Sequence, residues 1–121
     1  MSEHNELGEL GEQMAQDFLI GKGYVILEKN WRYLKAEIDI IVQKDKDTLV
    51  IVEVKTRTNS FIGNPEEFVT KKKIKLLVVA ANEYVISRKL NVEVRFDIVA
   101  IVKNSKYQHI EHFENAFYFF Q

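Results

Sequence analysis

The chain has 121 residues, no cysteine and a formal net charge of −1, and 46% of its residues are hydrophobic. This length and composition exclude a disordered chain and predict that residues 1–121 form one folded domain around a single core. The absence of cysteine excludes disulfides and zinc sites built on thiolates. Since the net charge is near zero, any nucleic-acid contact must rest on a local basic patch rather than on the whole surface.

The chain also lacks sequence signals for a membrane or for secretion. No segment combines the length and apolar character of a membrane span, and the first ten residues, MSEHNELGEL, are acidic and polar. A secretory signal would begin with basic residues and continue with an apolar stretch. We therefore expect a cytoplasmic protein that has no membrane partner.

A helix and a strand are predicted in the first quarter of the chain. Apolar residues spaced three and four apart indicate a helix over Asn5–Gly21, which two nearby glycines end. The segment YVILEKNW predicts a strand from Tyr24 to about Asn30. The next residues, Trp31–Leu34, are predicted to form a turn.

The rest of the chain predicts a hairpin, a second helix and further strands. The segments AEIDIIV and TLVIVEVKT alternate in polarity and are joined by the turn signal QKDKD. A helix follows whose start is either at Asn64, before a proline, or at Thr70. The segment VEVRFDIVAIV predicts a buried strand and YQHIEHF an edge strand. Because a helix joins the third and fourth strands, they should run parallel, which gives an α/β fold with a mixed sheet flanked by helices.

The hairpin places two acids on one strand and an acid and a lysine on the next. If its turn centres on Lys46, then Asp39 lies opposite Glu53, and Glu37 lies opposite Lys55. Side chains alternate across a strand, so each polar set continues on its own face into an isoleucine, Ile41 on one strand and Ile51 on the other. The charged end of this face should therefore be partly sheltered from water.

Two readings of this charged face remain open from the spacing alone. Opposed carboxylates repel each other, and they invite a hard cation such as Mg²⁺, which takes oxygen ligands and activates a bound water. Lys55 on the same face can orient that water or stabilise negative charge in a transition state. The alternative is the polar side of an ordinary half-exposed hairpin, in which Glu37 and Lys55 form a surface ion pair worth less than about 1 kcal/mol.

The role of Glu12, a third acid, has two interpretations. It falls at the margin of the apolar stripe of the first helix. A helix packed on the sheet can aim it at the acids of the hairpin. The alternative is a boundary glutamate that faces water.

One basic cluster follows the hairpin. It comprises Arg57, Lys71, Lys72, Lys73 and Lys75. Lysines at the start of a helix oppose its dipole, which favours a functional role as phosphate contacts. The alternative is a solvated helix start without a partner. A buried structural role is predicted for Asp97, because its strand is otherwise apolar.

Five segments of the chain resemble a known family. The segments GELGEQMAQDFLIGKGYVILEKNWR, AEIDIIV, VIVEVKTR, GNPEEFVTKKK and RFDIVAI, in this order, resemble the YraN family of small bacterial proteins from about Gly8 to Val102. That family is endonuclease-like and is similar to archaeal Holliday-junction resolvases of the PD-(D/E)xK nuclease superfamily. The resemblance implies a restriction-endonuclease-like fold and a hydrolase that cuts DNA, with branched DNA as a candidate substrate.

The resemblance also implies roles for individual residues. Glu12 is similar to the helix acid of the resolvases, and Asp39 to the metal-binding aspartate. Glu53 and Lys55 resemble the ExK pair, and Val54 between them offers its carbonyl to the metal. The implied cofactor is Mg²⁺ or Mn²⁺, and Glu12 is a further candidate ligand.

Some features of the resemblance stay open. Glu37 matches the Gly-Glu-Ile-Asp string of the family as a supporting residue, but Ala36 replaces the glycine before it, which bears on substrate fit. A homodimer is expected if both strands of DNA are cut, because this needs two sites. The alternatives to an endonuclease are a non-catalytic nucleic-acid-binding or adaptor module that retains the fold, and a plain interaction domain.

Overall fold

The computed structural model describes residues 3–59 and 69–117, which form one five-stranded sheet between two helices. In chain order the elements are α1 (Glu3–Gly21), β1 (Val25–Tyr33), β2 (Ala36–Asp45), β3 (Thr48–Arg57), α2 (Lys71–Ser87), β4 (Glu93–Lys103) and β5 (Gln108–Phe113). The strands lie side by side in chain order; β3 and β4 are parallel, and the other neighbours are antiparallel. The predicted α/β class, with a mixed sheet flanked by helices, is confirmed. Neither α1 nor α2 is long and apolar enough to cross a membrane.

The two helices cover opposite faces of the sheet, and each encloses its own core. On the α1 face, Ala15 and Leu19 pack against branched side chains of the central strands, which include Ile40, Val42, Val50, Val52, Val99 and Ile101. On the α2 face, Leu77 and Tyr84 pack against a second set, which includes Ile38, Ile41, Leu49, Ile51 and Ile98. Each fully buried aliphatic side chain stabilises the fold by about 1.5–3 kcal/mol, so the central strands are held firmly from both sides.

The first strand is longer than predicted. The predicted turn over Trp31–Leu34 is wrong for its first three residues, because β1 continues as far as Tyr33. The reversal comes at Leu34, whose φ of 56° lies in the left-handed region. The strand persists because Trp31 packs edge-on against Tyr84 of α2, with ring centroids 5.2 Å apart. Tertiary packing therefore overrides the local turn signal.

Helix α2 begins at the second of its two predicted start points. Thr70 is the N-cap, and its hydroxyl accepts a hydrogen bond of 3.1 Å from the backbone N–H of Lys73. The alternative start, Asn64, lies outside the described residues. This start places Lys73 in the first turn of the helix, close to the end of β3.

Asp97 has the structural role that its buried strand predicts. It is fully buried in β4 and accepts hydrogen bonds from Arg95 (2.9 and 2.8 Å) and from the backbone N–H of Asn115 (2.9 Å). The ring of His112 contacts the Oδ2 atom of Asp97 at 2.7 Å, the same atom that accepts one of the bonds from Arg95. Burial disfavours the charged form, but these contacts outweigh it and hold the pKa of Asp97 below its usual value. The network ties β4, β5 and the chain after β5 together.

Candidate metal and nucleic-acid site

The β2–β3 hairpin has the predicted register from Gln43 to Ile40, after a one-residue shift next to the turn, and strand pairing stops before the acids. Ile40 pairs with Val52, as predicted, but Asp39 and Glu53 lie beyond the last paired positions. There the carboxylate of Asp39 accepts a hydrogen bond of 2.8 Å from the backbone N–H of Val54. The two acids are therefore neighbours without being a ladder pair.

Strict alternation along β2 is also interrupted at this point. Ile38 and Ile41 lie three positions apart, yet both pack in the core on the α2 face. The prediction that Asp39 shares a face with Ile41 rests on strict alternation, which does not hold across this segment. The prediction for β3 is consistent with the structure, since Glu53 follows Ile51 toward α2.

Glu37 and Lys55 do not face each other, which corrects the predicted cross-strand pair. Glu37 lies opposite Arg32 of β1 and forms an ion pair with it at 3.4 Å, whereas Lys55 contacts Glu53 at 3.3 Å. The reason is that this part of β2 pairs with β1 after β3 has separated from it. The side chain of Arg32 is 76% exposed, so this pair is worth at most about 1 kcal/mol and leaves Glu37 at the margin of the site.

Glu53 is the most deeply buried acid of the group. It is 2% exposed, and its Oε2 atom contacts the ammonium groups of both Lys55 and Lys73. Its Oε1 atom is buried and has no hydrogen-bond partner among the described residues. A buried carboxylate oxygen without a partner is costly, so this atom marks a position where a cation would be stabilising.

The neighbouring acid, Asp39, has a strongly perturbed pKa. Burial is the largest cause and the negative charge of Glu53 the next, and together they raise the pKa of Asp39 from 3.8 to about 7, against the hydrogen bond from Val54. The charge of Glu12 raises this pKa further, whereas that of Lys73 lowers it. A carboxyl that resists ionisation beside a second acid is typical of functional sites.

Glu12 approaches the site from α1, on the wall of a cleft. The cleft has a volume of about 370 Å³, and its lining includes Glu12, Val54, Lys55 and Arg57. The carboxylate of Glu12 accepts a hydrogen bond of 3.0 Å from the side chain of Asn30. Asn30 is a residue that sequence reasoning missed. It has a φ of 49° inside β1, in the left-handed region that asparagine tolerates better than most residues.

A glycine sets the distance between α1 and the end of β3. A Cβ atom at Gly11 would lie 1.8 Å from the hydroxyl oxygen of Thr56. Since only a residue without a side chain fits there, α1 can lie close against β3, and this brings the adjacent Glu12 to the cleft.

The predicted basic cluster divides into two parts. Lys71, Lys72 and Lys75 are exposed at the start of α2, and Arg57 is exposed at the end of β3. Lys73 is instead half-buried on Glu53, so a role limited to phosphate contact does not describe it in this structure. The hydrogen bond and the charge of Glu53 outweigh burial and raise the pKa of Lys73. The sequence allowed two starts for α2. The start at Thr70 would have predicted that Lys73 lies in the first turn of the helix, near the end of β3.

Ala36, which replaces the glycine of the family string, is buried in the core on the α2 face. It also lines a groove of about 250 Å³ together with Lys35, Glu37, Thr70, Lys72 and Lys73. This groove lies at the start of α2, and the cleft that contains Glu12 lies on the α1 side. The two concave surfaces therefore lie beside different helices.

The donor set fits one kind of metal site and not another. Among residues 3–59 and 69–117, no three His, Asp or Glu side chains converge into a metal-binding cluster. Asp39 and Glu53 offer two carboxylates, one of which has an unpartnered oxygen. Mg²⁺ is commonly held by one or two carboxylates together with water and substrate phosphate. The residues present fit such a shared site better than a closed protein cage.

Residues 11–101 match the family described as "Uncharacterised protein family UPF0102". The UPF0102 protein of Flavobacterium psychrophilum is 58% identical over 120 residues, which cover 99% of this chain and 100% of that protein. The UPF0102 protein of Bacteroides thetaiotaomicron is 45% identical over 118 residues, which cover 98% and 97% of the two chains. Among solved structures, Pyrococcus furiosus SfsA in complex with Ca²⁺ is similar over 92% of this chain and 63% of that chain, at 12% identity and a TM-score of 0.38. The chain therefore belongs to the UPF0102 family, which is the YraN family that its motifs predict.

Proposed function

We propose that this protein is a Mg²⁺-dependent endonuclease that hydrolyses phosphodiester bonds of DNA, branched DNA included. The observation that carries the proposal is the unpartnered, buried Oε1 atom of Glu53 beside Asp39, whose pKa is raised to about 7. A divalent cation relieves both features at once, because it ligates the free oxygen and favours the ionised form of the second acid.

Each residue of the site has a role in this proposal. Asp39 and Glu53 would hold the cation with the backbone carbonyl of Val54, and Glu12, which does not converge with both acids among the described residues, is a further candidate ligand from the α1 side. When bound, the cation supplies Lewis-acid activation of the phosphate and of a water molecule. Lys55, whose ammonium lies 3.3 Å from Glu53, orients the attacking water or stabilises negative charge on the phosphate.

The exposed basic residues supply the substrate contacts in this proposal. Lys71, Lys72 and Lys75 are exposed at the start of α2, and Arg57 lines the cleft that contains Glu12. They would contact the DNA backbone on both sides of the scissile phosphate. Because cutting both strands needs two sites, we further propose a homodimer, which sedimentation of the DNA-bound protein would reveal.

Calorimetric titration with Mg²⁺ or Mn²⁺ tests the metal site. We expect wild-type protein to bind the cation with an affinity that rises with pH, because Asp39 must lose its proton, and Asp39→Asn and Glu53→Gln to lose this binding. Glu111→Gln is the matched control, since that glutamate lies on β5 and pairs with His109. The metal site is refuted if wild type binds neither cation, with or without DNA.

Cleavage assays test the chemistry. Duplex, single-stranded, flapped and four-way-junction DNA are incubated with wild type and Mg²⁺, and we expect cleavage of at least one substrate. Lys55→Ala should abolish it; activity that persists indicates contamination or another mechanism. DNA binding without cleavage of any substrate would favour a non-catalytic adaptor. The neutralisation of Glu53 by two lysines is the observation that supports this second candidate.

A further inference from the structure

Lys73 and Lys55 converge on one atom of Glu53, although they come from different elements. Both ammonium groups contact Oε2, whereas Oε1 has no hydrogen-bond partner among the described residues. One oxygen of the buried carboxylate thus has two cationic partners and the other has none. A carboxylate oxygen can accept two hydrogen bonds, so the two lysines fill Oε2 while Oε1 stays open to a further cation.

The two lysines differ in how easily their side chains can move away from Glu53. Lys55 is two residues from Glu53 on β3, a strand that pairs with β4 along its whole length. Lys73 reaches Glu53 from the first turn of α2, and its side chain is 40% exposed while that of Glu53 is 3% exposed. Its long flexible stem can therefore swing into solvent without movement of the backbone, whereas Glu53 is fixed.

A cation at Glu53 opposes the contact that Lys73 makes. Both would be drawn to the same carboxylate, and they would repel each other at short range. The groove beside Lys73 offers another position for its ammonium when a phosphate is bound there, because the phosphate would offset the charges of Lys35 and Lys72, which line the groove with Glu37 and the N-cap Thr70. A concentration of positive charge at a helix start is suited to a phosphate group.

We propose that Lys73 is an exchangeable counter-ion: it holds Glu53 in the metal-free protein, leaves when a divalent cation binds, and then contacts a DNA phosphate in this groove. The inference rests on the proposed function. It makes metal binding and DNA binding mutually reinforcing, because the phosphate draws Lys73 off Glu53 and the cation releases Lys73 toward the phosphate. By linkage, each ligand must raise the affinity of the other by the same factor.

The first experiment titrates Mg²⁺ alone into wild type, Lys73→Met and a control. The proposal predicts that Lys73→Met binds Mg²⁺ roughly fivefold tighter than wild type, the factor that corresponds to about 1 kcal/mol for a half-exposed ion pair. The control, Lys46→Met, removes the same charge from an exposed position in the β2–β3 turn and should leave the affinity unchanged. Lys73→Gln repeats the test with a polar replacement, and circular dichroism verifies that each variant is folded.

The second experiment measures DNA affinity with and without Ca²⁺, a hard cation that also takes oxygen ligands, and gels verify that the DNA stays intact. Ca²⁺ should strengthen DNA binding by wild type and by Lys46→Met, and this gain should shrink in Lys73→Met. If Lys73→Met and Lys73→Gln bind Mg²⁺ no tighter than wild type, the counter-ion role is wrong while the metal site stands. If wild type itself binds neither Mg²⁺ nor Mn²⁺, with or without DNA, the proposed function fails as well.

Discussion

We expect the Asp39→Asn variant to become more stable than wild type as the pH rises. The amide keeps the shape of the carboxylate and can still accept the hydrogen bond from Val54. It removes the negative charge that burial and Glu53 disfavour. The comparison therefore isolates the free energy of ionising this one buried group.

The magnitude follows from the raised pKa of Asp39. A rise from 3.8 to about 7 disfavours the ionised form in the folded state by about 4 kcal/mol, at about 1.4 kcal/mol for each pH unit. Between these two values the folded state holds a proton that the unfolded state has lost, so the stability of wild type falls as the pH rises. The difference in unfolding free energy between variant and wild type should thus move by about 4 kcal/mol in favour of the variant from about pH 4 to about pH 8.

Urea unfolding of both proteins, without divalent cations, at a series of pH values measures this difference. Asp17→Asn, at an exposed position on α1, controls for the exchange of a carboxylate for an amide. Adding Mg²⁺ at about pH 8 should then stabilise wild type and not Asp39→Asn, since a ligand stabilises only the state that binds it. A difference that does not change with pH would refute the assignment of a high pKa to Asp39.

Two further predictions concern stability and are tested by urea unfolding near neutral pH. Gly11→Ala should lower the free energy of unfolding by about 1–3 kcal/mol, because the added Cβ would lie 1.8 Å from a hydroxyl of β3. Gly8→Ala adds a Cβ with no atom within 4 Å, so the higher helix propensity of alanine should raise the free energy of unfolding by up to about 1 kcal/mol. Equal effects at the two glycines would refute the close approach of α1. Asp97→Asn should lose about 3 kcal/mol, because it removes the fully buried negative charge beside the guanidinium of Arg95 and leaves only the half-exposed Glu114, among the described residues, as its acidic partner. Because the folded state lowers the pKa of Asp97, the stability lost in the variant should shrink as the pH falls below 3.8, the ordinary pKa of an aspartate. A loss that stays the same at that acidic pH would contradict a role for the charge of Asp97.

The elements could be predicted from sequence where a local pattern decides them. The alternation in AEIDIIV and TLVIVEVKT predicts the β2–β3 hairpin, and the apolar spacing predicts both helices. The end of β1 could not be predicted, because it depends on the contact of Trp31 with Tyr84 of α2. That contact joins residues more than fifty positions apart, and no local propensity encodes it.

In the candidate site too, some positions could be predicted from a local pattern and others depend on tertiary packing. Asp39, Glu53 and Lys55 come from one hairpin, so its register is sufficient to bring them together. The side chains that bind Glu12 and Glu53 come from other elements. Asn30 of β1 donates a hydrogen bond to Glu12, and Lys73 of α2 donates one to Glu53. Their positions depend on how the helices dock on the sheet.

The place where the hairpin opens accounts for the form of the site. β2 and β3 stop pairing after Ile40 and Val52, while β3 continues to pair with β4 as far as Arg57. β3 therefore stays a rigid support for Glu53, while the backbone N–H of Val54 becomes available to the carboxylate of Asp39. A hydrogen bond of this kind contributes about 1 kcal/mol and offsets part of the lost strand pairing. Continued pairing of the two strands would take that N–H into the ladder and would fix Asp39 as an ordinary cross-strand residue. The irregularity in the hairpin thus determines the hydrogen bond that holds Asp39 beside the buried carboxylate of Glu53.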